Sequence, residues 1–206
     1  TLTEDSRRQY IYEINRLKKK YENTVAIKCG IESDYFSTES PDDFEYSIGS
    51  VHYVKKDGYY IPVDLSKETQ VECVNKYYNG DFIAFAEDYY ELVGKVIEKT
   101  KADIIGHFDL ITKFNEGFAL FDENDPRYVS AWKKAVDKLL TYNLPFEVNT
   151  GAISRGYRTH PYPALPILKY IKEKGGKVIL SSDSHSAENV AFRFDKWEKV
   201  IREIGF

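Results

Sequence analysis

The pattern of hydrophobic and polar residues predicts alternating helices and strands. In residues 10–21, Ile11, Ile14 and Leu17 recur at helical spacing and predict one amphipathic face. Further helices are predicted over residues 67–79, 82–100, 126–143, 163–174 and 194–204. Short runs rich in β-branched residues predict strands over residues 24–31, 46–54, 102–107, 146–149 and 177–182. This alternation is typical of an α/β domain with a mainly parallel sheet.

Turn and capping residues mark the ends of several elements. Asp57-Gly58 predicts a tight hairpin turn. Asp81 and Asp125 are suited to cap the helices that follow them. No repeat, low-complexity tract or linker interrupts the sequence, so residues 1–206 are expected to form a single domain.

Composition argues against several classes of protein. The 206-residue chain contains 42% hydrophobic and 30% charged residues, as globular domains usually do. Its net charge of −4 argues against a nucleic-acid partner, and no apolar run approaches the roughly 18 residues that a membrane helix needs. Cys29 and Cys73 form no C-x-x-C pair, so neither a disulfide scaffold nor a zinc ribbon is expected. A cytoplasmic protein is predicted.

Potential metal ligands occur at or near the ends of predicted strands, namely Glu32, His52, His107, Asp183 and His185. The carboxyl ends of parallel strands meet at one edge of a sheet, so these side chains are expected to converge. Imidazole and carboxylate groups suit Zn²⁺, Mn²⁺ or Fe²⁺. Singly, each has an ordinary alternative: a hydrogen-bonded structural histidine, a solvated carboxylate or a helix cap. Together they predict a metal site.

Five short motifs carry a family resemblance. They are residues 30–35 (GIESDY), 48–53 (IGSVHY), 106–110 (GHFDL), 147–151 (EVNTG) and 182–185 (SDSH). In this order they resemble the motifs of the histidinol-phosphatase branch of the polymerase-and-histidinol-phosphatase (PHP) family.

The resemblance implies a distorted (β/α)7 TIM-like barrel with up to three divalent transition metals (Zn, Mn or Fe). It also implies hydrolysis of L-histidinol phosphate to L-histidinol and phosphate in histidine biosynthesis. By the same resemblance, Glu32 would bridge metals, His52 and His107 would hold one of them, and Asp183 and His185 would complete the others.

One departure from the family concerns the beginning of the chain. The family opens with an H-x-H motif, whereas no histidine precedes Glu32 here, and the sequence contains no Met. We expect that an N-terminal segment is missing from the chain, which would leave the barrel without its first strands. The alternative is a degenerate member. A barrel lacking its first strands would expose strand edges and apolar surface.

The segment 150–163 is the candidate phosphate-binding loop. Arg155 and Arg158 can each donate two parallel hydrogen bonds to a phosphate, and His160 can donate another. Arg155 fits the family's arginine best, although a solvated loop or an ion pair explains these arginines equally well. The role of Glu147 is left open.

The predicted mechanism uses a metal-bound hydroxide, because cations lower the pKa of bound water, and this hydroxide would attack the phosphorus. Asp183 or His185 could assist the leaving alkoxide through water. The alternatives are a related PHP phosphoesterase acting on another small phosphate ester or a nucleotide, and a non-catalytic scaffold. Tyr53, Tyr59 and Tyr60 are expected to pack around the hairpin, or to form a pocket wall that recognises imidazole.

Overall fold

The computed structural model describes residues 3–206. The helices are α1 (Glu4–Lys20), α2 (Lys67–Tyr78), α3 (Phe82–Val93), α4 (Val96–Thr100), α5 (Pro126–Leu140), α6 (Gly151–Ser154), α7 (Leu165–Glu173) and α8 (Phe194–Ile204). The strands are β1 (Gly30–Asp34), β2 (Tyr46–Ser50), β3 (Tyr53–Lys56), β4 (Tyr59–Pro62), β5 (Ile104–Ile105), β6 (Pro145–Asn149) and β7 (Lys177–Ser181). Short 3₁₀ turns lie at Leu110–Thr112, Glu116–Phe118 and Ala187–Asn189.

Five strands form one parallel sheet in the order β1-β2-β5-β6-β7. The two remaining strands, β3 and β4, form a separate antiparallel hairpin. The predicted α/β class with a parallel sheet is therefore confirmed. Within residues 3–206 the sheet is open, with β1 and β7 as its edges. Closure into a barrel stays a prediction.

The main core lies between the sheet and the helices α3 and α5. Tyr90 of α3 and Tyr128 of α5 are each 1% exposed, and their hydroxyls are 2.9 Å apart, so each polar group has a partner inside the core. Phe108 and Phe146 connect this aromatic layer to the strands, with ring centroids 5.8 Å apart. A second, smaller apolar cluster joins β6 to α7 and α8.

Local signals placed several boundaries correctly. The side chain of Asp81 accepts a hydrogen bond from the Ala84 amide and caps α3, and Asp125 caps α5 in the same way. At the hairpin turn Asp57 has φ 48° and Gly58 has φ 84°, the left-handed pair that a two-residue turn of this kind requires.

The first strand was placed too early. Residues 25–29 form no regular structure, and β1 begins at Gly30 because its pairing with β2 starts at Gly30–Tyr46. Val25, at the start of the apolar run, is 55% exposed. Glu32 therefore lies within the strand, not after it.

Two other predicted elements are divided. The strand over 46–54 breaks after Ser50, because the next residues leave the sheet and enter the hairpin with β4. The helix over 82–100 breaks at Gly94, where a Cβ atom would lie 3.4 Å from the Ala135 backbone.

Two further differences lie near the carboxyl edge of the sheet. The strand over 102–107 is reduced to the two residues of β5, so His107 follows it after a short link. The four-residue helix α6 was not predicted. Among the helices over residues 3–206, none combines the length and apolar character needed to cross a membrane.

Candidate metal centre

A cavity of about 200 Å³ opens beside the carboxyl ends of the parallel strands. Its lining residues are Glu32, His52, Asp64, His107, Leu110, Lys113, Arg155, Tyr162, Asp183 and His185. The five predicted metal ligands and Arg155 are thus all brought to one cavity. Arg158 and His160 are not among its lining residues.

Three of these side chains converge closely and are called the inner cluster: Glu32, His52 and His107. Their potential ligand atoms all lie within 4.8 Å of one another. Glu32 Oε1 is 3.0 Å from His107 Nε2 and 3.4 Å from His52 Nε2. One carboxylate with two imidazoles is a donor set that first-row divalent cations accept, so these residues fit a metal.

Asp34 orients the first histidine of the inner cluster. It lies two residues after Glu32 on β1, and alternate residues of a strand face the same side. Its Oδ2 accepts from the His52 backbone amide at 2.9 Å and lies 3.2 Å from His52 Nδ1. Burial would raise the pKa of Asp34, but the hydrogen bond with His52 helps to lower it. An ionised Asp34 places the proton on Nδ1 and leaves Nε2 free to bind a metal.

Glu147 positions the second histidine of the inner cluster. Its side chain is buried, and Oε2 accepts from the His107 backbone amide at 2.7 Å. His107 is itself 5% exposed, and its Nδ1 atom has no hydrogen-bond partner among residues 3–206. The ring is therefore fixed mainly through its backbone and its Nε2 contact.

The pKa values of His107 and Glu32 in the inner cluster are shifted in opposite directions. Burial alone would lower the pKa of His107, but hydrogen bonding to Glu32 and its charge raise it to about 9. Desolvation would raise the pKa of Glu32, yet the hydrogen bond and charge of His107 hold it well below its usual range. The pair thus carries a proton on His107 that a divalent cation can replace, because a histidine ligand binds metal in its deprotonated form.

The outer cluster consists of Arg155, Asp183 and His185. Arg155 Nη2 lies 3.1 Å from Asp183 Oδ2, and Nη1 donates to the Asp183 carbonyl at 2.9 Å. Nη1 also lies 3.1 Å from His185 Nδ1. The His185 side chain is 75% exposed. The guanidinium therefore holds the two potential ligands in place.

Gly151 makes room for this arrangement. A Cβ atom at Gly151 would lie 2.9 Å from Nη2 and 3.0 Å from Nη1 of Arg155. Gly151 begins α6, separated from the end of β6 by one residue, and Arg155 follows the last residue of this short helix. The guanidinium of Arg155 therefore folds back over Gly151.

Arg158 lies in the interior, although it is only three residues farther along the chain. The residue is 4% exposed, its Nη1 donates to the Thr112 carbonyl, and its Nε lies 3.2 Å from Glu116 Oε2. It also contacts His160, whose pKa is lowered by burial and by the charge of Arg158. This environment favours the ion-pair alternative for Arg158, and phosphate binding by Arg158 and His160 stays a prediction.

Four polar residues of this region were not among the predicted site residues: Asp34, Asp64, Lys113 and Tyr162. A signal existed for Asp34, which stands two residues after Glu32 inside a motif already identified. None existed for Asp64 and Lys113, which belong to separate segments joined by a Lys113 Nζ donation to the Asp64 carbonyl at 2.7 Å.

Known proteins similar in sequence were found, although no protein-family model matches the chain. The "probable histidinol-phosphatase" of Schizosaccharomyces pombe is 30% identical over 96% of the chain and 66% of its own length. The protein of the same description from Deinococcus radiodurans is 30% identical over 96% of the chain and 72% of its own length. The chain therefore spans about two thirds to three quarters of these relatives.

Solved structures share the fold. A Listeria monocytogenes protein described as a candidate histidinol phosphatase, HisK, superimposes with a TM-score of 0.82 at 21% identity, covering 96% of the chain and 78% of that protein. A Lactococcus lactis histidinol phosphate phosphatase, solved with zinc, L-histidinol and phosphate, gives 0.66 at 19% identity, covering 97% and 74%. With the ordered motifs and the Deinococcus radiodurans relative, this places the chain in the histidinol-phosphatase family.

Proposed function

We propose that this site hydrolyses L-histidinol phosphate to L-histidinol and phosphate, as a step of histidine biosynthesis, with divalent transition metals. The observation that carries the proposal is the inner cluster, which offers three ligand atoms within 4.8 Å at the carboxyl edge of the sheet. Relatives 30% identical are described as histidinol-phosphatases. A protein of the same fold has been solved with zinc and both reaction products.

Each cluster has its own role in the proposal. Glu32, His52 and His107 hold a metal, and Asp183 and His185 provide further ligands, for up to three Zn, Mn or Fe ions. Bound cations activate water as a nucleophile and neutralise charge on the phosphate oxygens. Arg155 has a planar fork of donors that suits a phosphate better than a single carboxylate oxygen.

Residues of this chain also position the protons that ligand binding and the leaving alkoxide require. Asp34 keeps the Nδ1 proton on His52, so that Nε2 stays available as a ligand. His185 is the most exposed residue of the outer cluster, which allows its imidazole to pass a proton through water to the leaving alkoxide. The Asp183 carbonyl oxygen lies 3.1 Å from His185 Nδ1, where it can accept a hydrogen bond and hold the ring in place.

Three broader features belong to the same proposal. The open parallel sheet is part of a distorted (β/α)7 barrel, supported by the likeness to solved histidinol phosphatases. Residues 1–206 belong to a single domain with a small phosphate ester as its partner. A cytoplasmic location and the absence of a nucleic-acid partner stay predictions from composition.

The test combines metal analysis of the full-length protein with phosphate release from L-histidinol phosphate and a panel of other small phosphate esters and nucleotides. We expect bound transition metal and the highest kcat/KM for L-histidinol phosphate. Metal with a preference for another ester would favour the related phosphoesterase. Absence of both metal and phosphate release would favour the non-catalytic scaffold and end the proposal.

A further inference from the structure

A second charged pair, Asp64 and Lys113, lines the same cavity as the two clusters. Lys113 Nζ donates to the Asp64 carbonyl oxygen at 2.7 Å and to its carboxylate Oδ2 at 3.3 Å. The Lys113 side chain is 13% exposed and that of Asp64 30%. The carboxylate is thus the more accessible partner of the pair.

The backbone fixes this pair beside the inner cluster. Val63, the residue before Asp64, donates its amide to the His52 carbonyl at 3.0 Å. On the other side, Leu110 donates to the His107 carbonyl at 3.0 Å, and Lys113 donates its amide to Leu110 at 2.9 Å. Each member of the pair is therefore tied through a short hydrogen-bonded segment to one histidine of the metal site.

Lys113 is poorly placed to be a free phosphate donor. Its ammonium donates to the carbonyl oxygen and to Oδ2 of Asp64, and it lies 4.8 Å from the ring centroid of Tyr157 and 5.4 Å from that of Phe114. Asp64 Oδ1, in contrast, accepts no hydrogen bond within the part of the chain that the structure describes. A carboxylate with an unused oxygen at the wall of a small cavity attracts a cation.

We propose that Asp64 determines substrate specificity by binding a cationic nitrogen of the substrate, with Lys113 holding the carboxylate in position. The inference rests on the proposed function and adds a specificity-determining residue to it: Asp64 would favour phosphate monoesters whose alcohol carries an ammonium or imidazolium group. The phosphate is attracted by the metals and Arg155, and the cation by Asp64. A substrate with charges of both signs is therefore bound at two points and oriented.

The test is Asp64→Asn in the metal-loaded full-length protein, because this substitution removes the charge and keeps the shape. We expect KM for L-histidinol phosphate to rise about 10- to 100-fold, the loss typical of one hydrogen bond to a charged group. For p-nitrophenyl phosphate, whose leaving group has no cation, we expect kcat/KM to stay within about twofold. Asp195→Asn, an exposed aspartate of α8, is the matched control and should change neither substrate.

Equal losses for both substrates, or no loss for either, would overturn the inference and leave the phosphatase proposal intact. Direct binding of L-histidinol and of inorganic phosphate separates the two proposals further. We expect only L-histidinol to bind more weakly to Asp64→Asn. A wild-type protein that does not hydrolyse L-histidinol phosphate contradicts the proposed function; the inference then depends on L-histidinol binding, and unchanged or absent binding overturns it.

Discussion

The inner and outer clusters line one cavity but are built in different ways. In the inner cluster, Glu32 is part of a paired strand, His52 is bonded to Asp34, and His107 is 5% exposed. In the outer cluster, His185 is 75% exposed, and the guanidinium of Arg155 holds it beside Asp183. The inner cluster is therefore positioned mainly by the sheet and its hydrogen bonds, and the outer cluster by the side chain of Arg155.

This difference assigns the two clusters different tasks. A rigid set of ligands binds a metal without first having to reorganise. Arg155 is held by the half-buried Asp183 and the exposed His185, and it can exchange them for a phosphate at modest cost, because ion pairs open to solvent contribute about 1 kcal/mol or less. Binding of the first metal should therefore depend on the inner cluster, and substrate affinity on Arg155 of the outer one.

The largest effect is expected from His107→Ala. Removing this ligand also removes the nearer of the two histidine partners of Glu32. We therefore expect loss of bound metal and at least about a 100-fold fall in phosphate release, at or beyond the upper range for disturbed metal sites. Elemental analysis and a phosphate assay measure both. The control is His160→Ala, which lies outside the cavity lining and should keep its metal. If His107→Ala kept its metal and His185→Ala lost it, metal binding would depend on the outer cluster and not on the inner one.

The two arginines of the 150–163 segment should respond differently. For Arg155→Gln we expect kcat/KM to fall about 10- to 100-fold with unchanged metal content, because a charged phosphate contact is lost. For Arg158→Gln we expect the free energy of unfolding to fall by about 2 kcal/mol, since a buried guanidinium and its Glu116 contact are lost. Thermal denaturation and steady-state kinetics distinguish them. Identical behaviour of the two variants would show that Arg158 also serves the substrate.

Asp34→Asn should have a smaller effect on the inner cluster. The substitution keeps the side-chain shape but removes the charge that fixes the His52 proton, so we expect about a tenfold loss of metal affinity. A metal titration against a chelator measures this directly. Asp42→Asn, in the exposed loop after β1, is the matched control. An unchanged affinity in Asp34→Asn would mean that the backbone alone orients His52.

The smallest effect concerns Asp109, which lies below the cavity. Burial raises the pKa of Asp109 to about 6, despite the nearby charge of Arg158. The folded state then binds this proton more tightly than the unfolded state does. The stability that Asp109 contributes is therefore lost as the pH rises between about 4 and about 6. We expect the unfolding free energy of the wild type, relative to Asp109→Asn, to fall by about 1–2 kcal/mol from about pH 5 to about pH 8.

Denaturant unfolding at several pH values tests the Asp109 prediction. Asp122→Asn, an exposed aspartate, should give a curve parallel to the wild type. A wild-type stability that rises relative to Asp109→Asn over the same range would contradict the sign.

The sequence predicted elements well where the signal was local. The Asp81 cap and the Asp57-Gly58 turn depend on neighbouring residues, and both are present. The predicted start of the strand over 24–31 was wrong because the boundary depends on where β2 pairs with it, which is a nonlocal property.

The same distinction applies to the site. The convergence of the potential ligands on one cavity was predictable from the sequence, because sites in α/β proteins generally lie at the carboxyl ends of parallel strands. The opposite environments of Arg155 and Arg158 could not be read from two arginines three residues apart. The Asp64–Lys113 contact spans 49 positions and leaves no pattern in the chain.

The parallel order of the sheet has a consequence for how the protein acquires its metal. Glu32 and His107 are 75 residues apart in sequence, and they meet only after β1, β2 and β5 have paired. Such distant pairings are closed late and slowly during folding. A cation that needs both residues therefore binds only after the folding barrier has been crossed. Metal should slow the unfolding of the protein much more than it accelerates refolding.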